Sequence, residues 1–375
     1  MRIGNVKTAI TTAYFAGRPI MLWGKPGVGK SAMVREAALD IGRNRGKKGG
    51  KLLEYGQTFP LNADGTQPVN DDGIPLVKCS VGLHDVRVSQ CDLVEIGGLI
   101  RDSGHETMDR LVPDWWPHEG RDDLPDFGIV FLDELPSGAR STMAAAYQLM
   151  QDKVCAGKKL KPGWMVMGAG NRLTDGGVVN PMPTPLANRM IHVDVETNQE
   201  DWEAWAWKAK QRIEIISFIR TAPDLLNNFE DHVKKKLEGH AFATERSWEI
   251  ANDLLEAKDE EEVFHEMLKG TVGKGVASTF VGFLGIWRDM VDPAEILTDP
   301  EGAPVPEKAS AQIAVATALA SKATPNNMDA VVTYFGRLAP SMSVLGIKDV
   351  QRRDRSCCKT QAYLQWAHDN AEMLQ

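Results

Sequence analysis

Short, unbroken apolar runs punctuate the N-terminal half of this chain, and each ends abruptly in polar residues. Pro19-Ile20-Met21-Leu22-Trp23 is one run, Ile129-Val130-Phe131-Leu132 a second and Trp164-Met165-Val166-Met167 a third. Runs of strand length without polar alternation predict strands buried on both faces, as in a parallel sheet between helical layers. Ala32 to Ile41 reads as a helix following the first run. Beyond 198 the period changes. Trp202, Trp205 and Ala206, then Ile215, Ile216 and Ile219, then Phe280, Phe283, Leu284 and Trp287 recur at helical spacing. These are core stripes and not a cofactor box. Residues 291–306 (VDPAEILTDPEGAPVP) are Pro-rich and polar and are predicted to be a linker, with helical pattern resuming over 308–374. The expected organisation is an α/β class chain: an αβα domain with a parallel sheet over 1–197, a helical domain over 198–290 and a helical C-terminal extension over 291–375.

The polar ends of the apolar runs carry the chemistry. Residues 24–31 read GKPGVGKS: Gly24, Lys25, Pro26, Gly27, Val28, Gly29, Lys30 and Ser31 satisfy the phosphate-loop pattern G-x-x-x-x-G-K-S/T. Its glycines let successive backbone N–H groups converge on phosphates, Lys30 is placed for the β- and γ-phosphates, and the Ser31 hydroxyl for Mg²⁺. The following helix adds the field of its N-terminus. The second run ends in Asp133-Glu134, at the strand end where open α/β sheets place ligands. Asp133 suits Mg²⁺, and Glu134 suits the water that attacks a γ-phosphate. The third run ends at Asn171-Arg172, an amide at a strand tip that can orient the same water.

Composition changes little in this picture. The chain has 375 residues, 43 % apolar and 25 % charged, and no apolar run approaches a membrane span. The net charge of −8 argues against a protein coated with nucleic acid, though not against a local basic patch. The five cysteines are odd in number, lack zinc spacing and fit unpaired thiols in a reducing cytosol. The eight histidines show no H-E-x-x-H spacing.

The motifs GKPGVGKS, IVFLDELPSG, MGAGNR, PLANRMIHVDV and FATERSWEI, in that order, resemble the MoxR branch of AAA+ ATPases. The likeness is specific over roughly residues 1–260, and is greatest to the stand-alone ATP-binding proteins common in phage and bacterial genomes. It implies an AAA+ P-loop domain followed by a helical lid, ATP and Mg²⁺ as ligands, ATP hydrolysis, a cytoplasmic protein and a homo-oligomeric, hexameric ring. It also assigns roles. Asn171 falls at the sensor-one position, Arg189 at the arginine finger that reaches a neighbouring subunit's γ-phosphate, and Arg246 at sensor two in the lid. Guanidinium suits both, being always charged and presenting a rigid fork of donors. Glu245 stands where that family usually has proline.

Three segments lie outside this core pattern. Residues 92–117 match the family's second-helix insert, with Ser103-Gly104 as a hairpin turn; Trp115 and Trp116 belong either to a client-facing surface or to the insert's packing on its own domain. Residues 153–163 match its pre-sensor hairpin, where Lys153, Lys158, Lys159 and Lys161 form a basic edge that either grips a client or is simply solvated. Residues 43–75 read as a long loop opening on the basic run Arg43 to Lys51, with Arg352, Arg353 and Arg355 a further basic cluster. Three functions compete: a remodeller of a protein client acting with a von Willebrand factor A-type partner, a nucleic-acid motor or loader, and a slow nucleotide switch. The intact Asp133-Glu134 pair counts against the last.

Overall fold

The apolar runs become strands of one six-stranded parallel sheet. The computed structural model describes all residues except 46–48, 105–106, 176–179, 197, 236–240, 258–259 and 374–375. The chain divides into a unit over 1–197 and a unit over 198–375. The first holds the strands β1 (Ile20–Trp23), β2 (Leu52–Glu54), β3 (Val81–Arg87), β4 (Leu99–Asp102), β5 (Met108–Leu111), β6 (Phe127–Asp133), β7 (Val154–Cys155), β8 (Lys158–Lys159), β9 (Trp164–Gly170) and β10 (Ile191–Asp194). Its helices are α1 (Ile3–Phe15), α2 (Lys30–Arg45), α3 (Leu76–Cys79), α4 (Leu93–Gly97), α5 (Arg140–Asp152) and α6 (Thr184–Ala187). The sheet order is β10-β1-β9-β6-β3-β2, with every neighbouring pair parallel.

Both faces of the sheet are buried, as the runs predict. Ile20, Leu22, Ile129, Phe131, Met165 and Met167 pack with Val34, Ala38 and Ile41 of α2 and with Ile10 of α1. Residues of the opposite parity, Met21, Val130, Leu132 and Val166, pack with Met143, Tyr147 and Met150 of α5. With both faces closed, polar chemistry is left to the strand ends. β9 lies between β1 and β6, so the phosphate loop, Asn171 and Asp133 leave the sheet side by side.

One expectation for this unit needs correction, and two alternatives left open are decided by the packing. Residues 43–75 are not simply a loop. Helix α2 runs to Arg45, and Leu52–Glu54 adds β2 to the sheet edge beside β3. The basic run is largely engaged: Arg43 pairs with Asp40, Arg45 lies over the Tyr14 and Phe15 rings, and Lys51 lies over Phe59, while 46–48 fall outside the described residues. Trp115 and Trp116 are buried, and their indoles donate to Glu95 O at 3.0 Å and Lys158 O at 3.1 Å. They pack the insert onto its own domain. β4 and β5 do form the expected antiparallel hairpin, with Ser103 N bonded to Thr107 O. β7 and β8 form the second hairpin, but Lys161 turns inward to Asp126 and Lys153 bonds Gly17 O, so the basic edge shrinks to Lys158 and Lys159.

The second unit is helical: α7 (Gln199–Lys208), α8 (Ile213–Thr221), α9 (Phe229–Lys234), α10 (Glu245–Ala257), α11 (Glu261–Val272), α12 (Lys274–Arg288), α13 (Pro293–Thr298), α14 (Ala309–Lys322), α15 (Met328–Phe335), α16 (Pro340–Arg353) and α17 (Gln361–Asp369). The 291–306 stretch is more than a linker. Asp292 caps α13 by accepting from Ala294 N, Pro293 occupies its first turn, and Ile296 is fully buried. Composition hid this, because a capped six-residue helix has the same Asp and Pro content as a loop.

A buried ion cluster ties this unit together. Arg220 of α8 grips Asp349 of α16 with two parallel bonds (2.5 and 2.7 Å), and bonds Glu203 of α7 through Nε (3.0 Å) and Nη2 (2.8 Å). Nη1 also donates to Thr317 of α14 at 2.9 Å, so all five guanidinium N–H donors are used. Arg352 adds a second cation 3.3 Å from Glu203. Arg353 instead bonds the Ser321 and Ala323 carbonyls at the end of α14. Removing one charge of such a cluster strands the others in a low dielectric. Arg220→Met should therefore lower unfolding stability of the full chain by about 3–5 kcal/mol in a denaturant titration. A loss under about 1 kcal/mol would mean the cluster is solvated and weak.

Candidate active site

The phosphate loop is built by backbone geometry. Gly27 and Gly29 sit at φ +82° and +84°, left-handed conformations that disfavour residues with a Cβ. Helix α2 begins at Lys30, with Met33 N bonded back to Gly29 O at 3.0 Å. Its first N–H groups therefore face the loop's concavity. The Lys30 ammonium reaches Gly24 O (2.6 Å), Lys25 O (2.9 Å) and Asn171 Oδ1 (3.1 Å). The Ser31 hydroxyl donates to Asp133 Oδ2 at 3.1 Å. Five sequence-derived candidates thus converge: Lys30, Ser31, Asp133, Glu134 and Asn171.

Glu134 leaves β6 at φ 52°, ψ 30°, a left-handed conformation unusual for a side-chain-bearing residue. Its N–H is held by Asp133 Oδ1 at 2.8 Å. This sharp exit separates the two carboxylates, leaving Asp133 towards Ser31 while Glu134 accepts from the Ser89 hydroxyl. The turn after Glu134 packs against the tip of β9. A Cβ at Gly170 would lie 2.1 Å from Pro136 Cδ, so the second glycine of MGAGNR is required by contact.

Two neighbours of this site carry no motif. Ser89 lies two residues beyond β3 and had no sequence signal. Asp85 did: it is a carboxylate within the mostly apolar β3 stretch VGLHDV, where only His84 beside it is also polar. Desolvation and the charges of Asp133 and Glu134 raise its pKa, against the pull of Arg87 and Arg35. The carboxylates therefore form a repelling group that an added cation relieves.

The donor set fits Mg²⁺. A hydroxyl and a carboxylate oxygen are hard ligands, and Mg²⁺ takes one or two from protein and the rest from water and phosphates. No cluster of three or more His, Cys, Asp or Glu suited to a metal occurs among the described residues.

The two arginines differ in setting. Arg189 is exposed just after α6, its N–H bonded to Leu186 O at 3.0 Å, and its guanidinium has no ion-pair partner among the described residues. Arg246 is exposed on the first turn of α10, in the second unit. Glu245 beside it is buried and accepts from Asn227 at 2.9 Å, turned to the helix's own packing.

No protein-family model matches the sequence, and no curated protein does. Solved structures give partial overlaps. A RuvB mutant from Thermotoga maritima is 13 % identical, covering 85 % of this chain and 80 % of its own, with a TM-score of 0.35. A DNA polymerase III gamma subunit-related protein from the same organism is 10 % identical over 98 % of both chains, at 0.34. NtrX from Brucella abortus in complex with ADP is 11 % identical, covering 99 % and 68 %, at 0.30. Overlaps this partial carry no argument about the site. Its own architecture is that of an α/β phosphate-loop domain with a parallel six-stranded sheet, followed by a helical C-terminal part.

The geometry makes Lys30 the principal charge for a bound polyphosphate. Charged hydrogen bonds are worth roughly 1.5–3 kcal/mol each, so Lys30→Ala should weaken nucleoside triphosphate binding by about tenfold to a hundredfold or more. Equilibrium titration with a fluorescent ATP analogue measures this. Unchanged affinity would remove the loop from the binding site.

Proposed function

We propose that this chain is a Mg²⁺-dependent ATPase of the AAA+ class, in the MoxR manner, working as a hexameric ring in the cytoplasm. The observation that carries the proposal is the hydrogen-bonded group Lys30, Ser31, Asp133 and Asn171, with Glu134 set apart from Asp133 by its left-handed backbone. Residues 24–31 hold the phosphates. Ser31 and Asp133 would hold Mg²⁺, which when bound would supply charge that favours the departing phosphate. Glu134 takes the proton as water attacks the γ-phosphorus, and the bond to the ADP oxygen breaks. Asn171 orients that water. Arg189 is supplied to the neighbouring subunit's site, and its exposure in one chain supports that role. Residues 198–290 act as the lid, with Arg246 as its phosphate sensor, and 291–375 as an extension.

The work is done on a protein client, with a von Willebrand factor A-type partner. The charge of −8 supports this reading over a nucleic-acid motor. So does the engagement of the basic segments within the protein, at Arg43, Arg45, Lys51, Lys161, Arg352 and Arg353. The β4–β5 hairpin instead offers exposed Leu99, Ile100 and Met108, apolar contacts suited to polypeptide.

Two measurements test the chemistry. Glu134→Gln should retain MgATP affinity while kcat falls by about 10²–10⁴. Arg189→Ala should lower kcat by about 10³ with binding in its own site intact. Normal turnover by either variant removes that residue from the mechanism. The Glu134→Gln protein, loaded with ATP in source-cell lysate, should retain a protein partner after nuclease treatment. Loss of all partners with nuclease would favour the nucleic-acid reading.

A further inference from the structure

A chain of bonds leads from the strand that enters the phosphate loop to the short helix that precedes Arg189. Trp23 is the last residue of β1 and immediately precedes Gly24, whose carbonyl holds Lys30. The Trp23 indole Nε1–H donates to His192 Nδ1 at 2.8 Å, with the two rings nearly parallel at 9°. An indole nitrogen only donates, so His192 Nδ1 is the acceptor and its proton sits on Nε2. That Nε2–H then donates to Ala187 O at 2.7 Å. Ala187 is the last residue of α6, two residues before Arg189.

The bond adds a side-chain tie to a short element. α6 has four residues, with Leu186 and Ala187 N–H bonded to Pro183 O and Asn188 N–H to Thr184 O, and its Leu186 packs on the core that holds Met143 and Met150. The segment entering it is held at Asn180, whose N–H and Nδ2 donate to Pro136 O (2.8 Å) and Gly138 O (3.0 Å), and it lines a cavity of about 360 Å³ shared with Trp23, Arg172 and His192. A second tie crosses the same cavity: Arg172, next to Asn171, pairs with Asp194 at 2.5 Å, two residues beyond His192. The phosphate loop and the Asn171 loop are therefore both bonded to β10, the strand that follows Arg189.

We propose that His192 is a positioning residue that couples the phosphate loop of one subunit to the placement of that subunit's own Arg189. Phosphate entering the loop draws on Lys30, whose grip on Gly24 lies next to Trp23. The Trp23–His192–Ala187 bonds carry that shift to α6. The inference rests on the trans role of Arg189 proposed above, and His192 touches neither nucleotide nor water itself.

Mixed assemblies separate the possibilities. Glu134→Gln subunits cannot hydrolyse ATP but still present Arg189. Mixing them with Arg189→Ala subunits should restore turnover, because each supplies what the other lacks. His192→Phe, which removes both bonds but keeps a ring, should lower kcat about tenfold or more with nucleotide affinity unchanged, and should be rescued by Glu134→Gln subunits in the same way. His192→Gln, with one acceptor and one donor, should stay within about twofold of the parent. Trp23→Phe, which keeps an aromatic ring and loses only the donor, should show the His192→Phe defect in part and the same rescue. Rescue of Arg189→Ala but of neither His192→Phe nor Trp23→Phe overturns the coupling and leaves the trans role standing. No rescue of Arg189→Ala overturns the trans role, and the coupling with it.

Discussion

The Ser31 hydroxyl bonded to Asp133 joins the first turn of α2 to the end of β6, 102 residues apart in sequence, and the site depends on that contact. It exists because β1, β9 and β6 are parallel neighbours whose faces are both buried. Polar side chains on these strands have no place except at the C-terminal ends. There the first N–H groups of α2, the Lys30 ammonium and the carboxylates of Asp133 and Glu134 meet. Burial first, and then the charges of Asp133 and Glu134, push the Asp85 pKa up, while the loop presents N–H groups and the Lys30 ammonium. A polyphosphate with its magnesium is the ligand proposed for this site.

Much of this was legible in the residues. The three apolar runs lacked polar alternation, and each became a strand covered on two faces. The spacing of glycines, Lys30 and Ser31 encodes a local backbone path, so a local motif suffices to recognise it. Asp133 and Asn171 were readable because each ends an apolar run. Ser89, Trp23 and His192 were not. Their importance comes from register between parallel strands distant in sequence, and no local pattern reports that His192 of β10 will face Trp23 of β1. The strand over Leu52–Glu54 was lost in a segment rich in Gly, Asn and Asp because three residues are too few to show a period.

The second unit follows a different physical logic. Its apolar stripes bury two cores, one around Trp248, Phe218 and Phe280 and one around Tyr334, Phe335 and Ile347. Between α7, α8, α14 and α16 lies a charge cluster balanced by two arginines and two carboxylates. Such a cluster tolerates little change in geometry, since a carboxylate separated from Arg220 would be left buried and unpaired. Glu203 of the proposed lid and Asp349 of the extension are joined through that one guanidinium. Residues 198–375 are thereby tied across the boundary that composition suggested at 291.

The central claim is that phosphate-loop chemistry in one subunit is completed by an arginine from another. It is tested most directly by ATP turnover per subunit across a dilution series, with assembly state followed by mass photometry on the same samples. Turnover should rise steeply as rings form, while dilute monomers still bind MgATP but hydrolyse it at least about a hundredfold more slowly. Turnover per subunit that stays constant down to monomer would contradict the account.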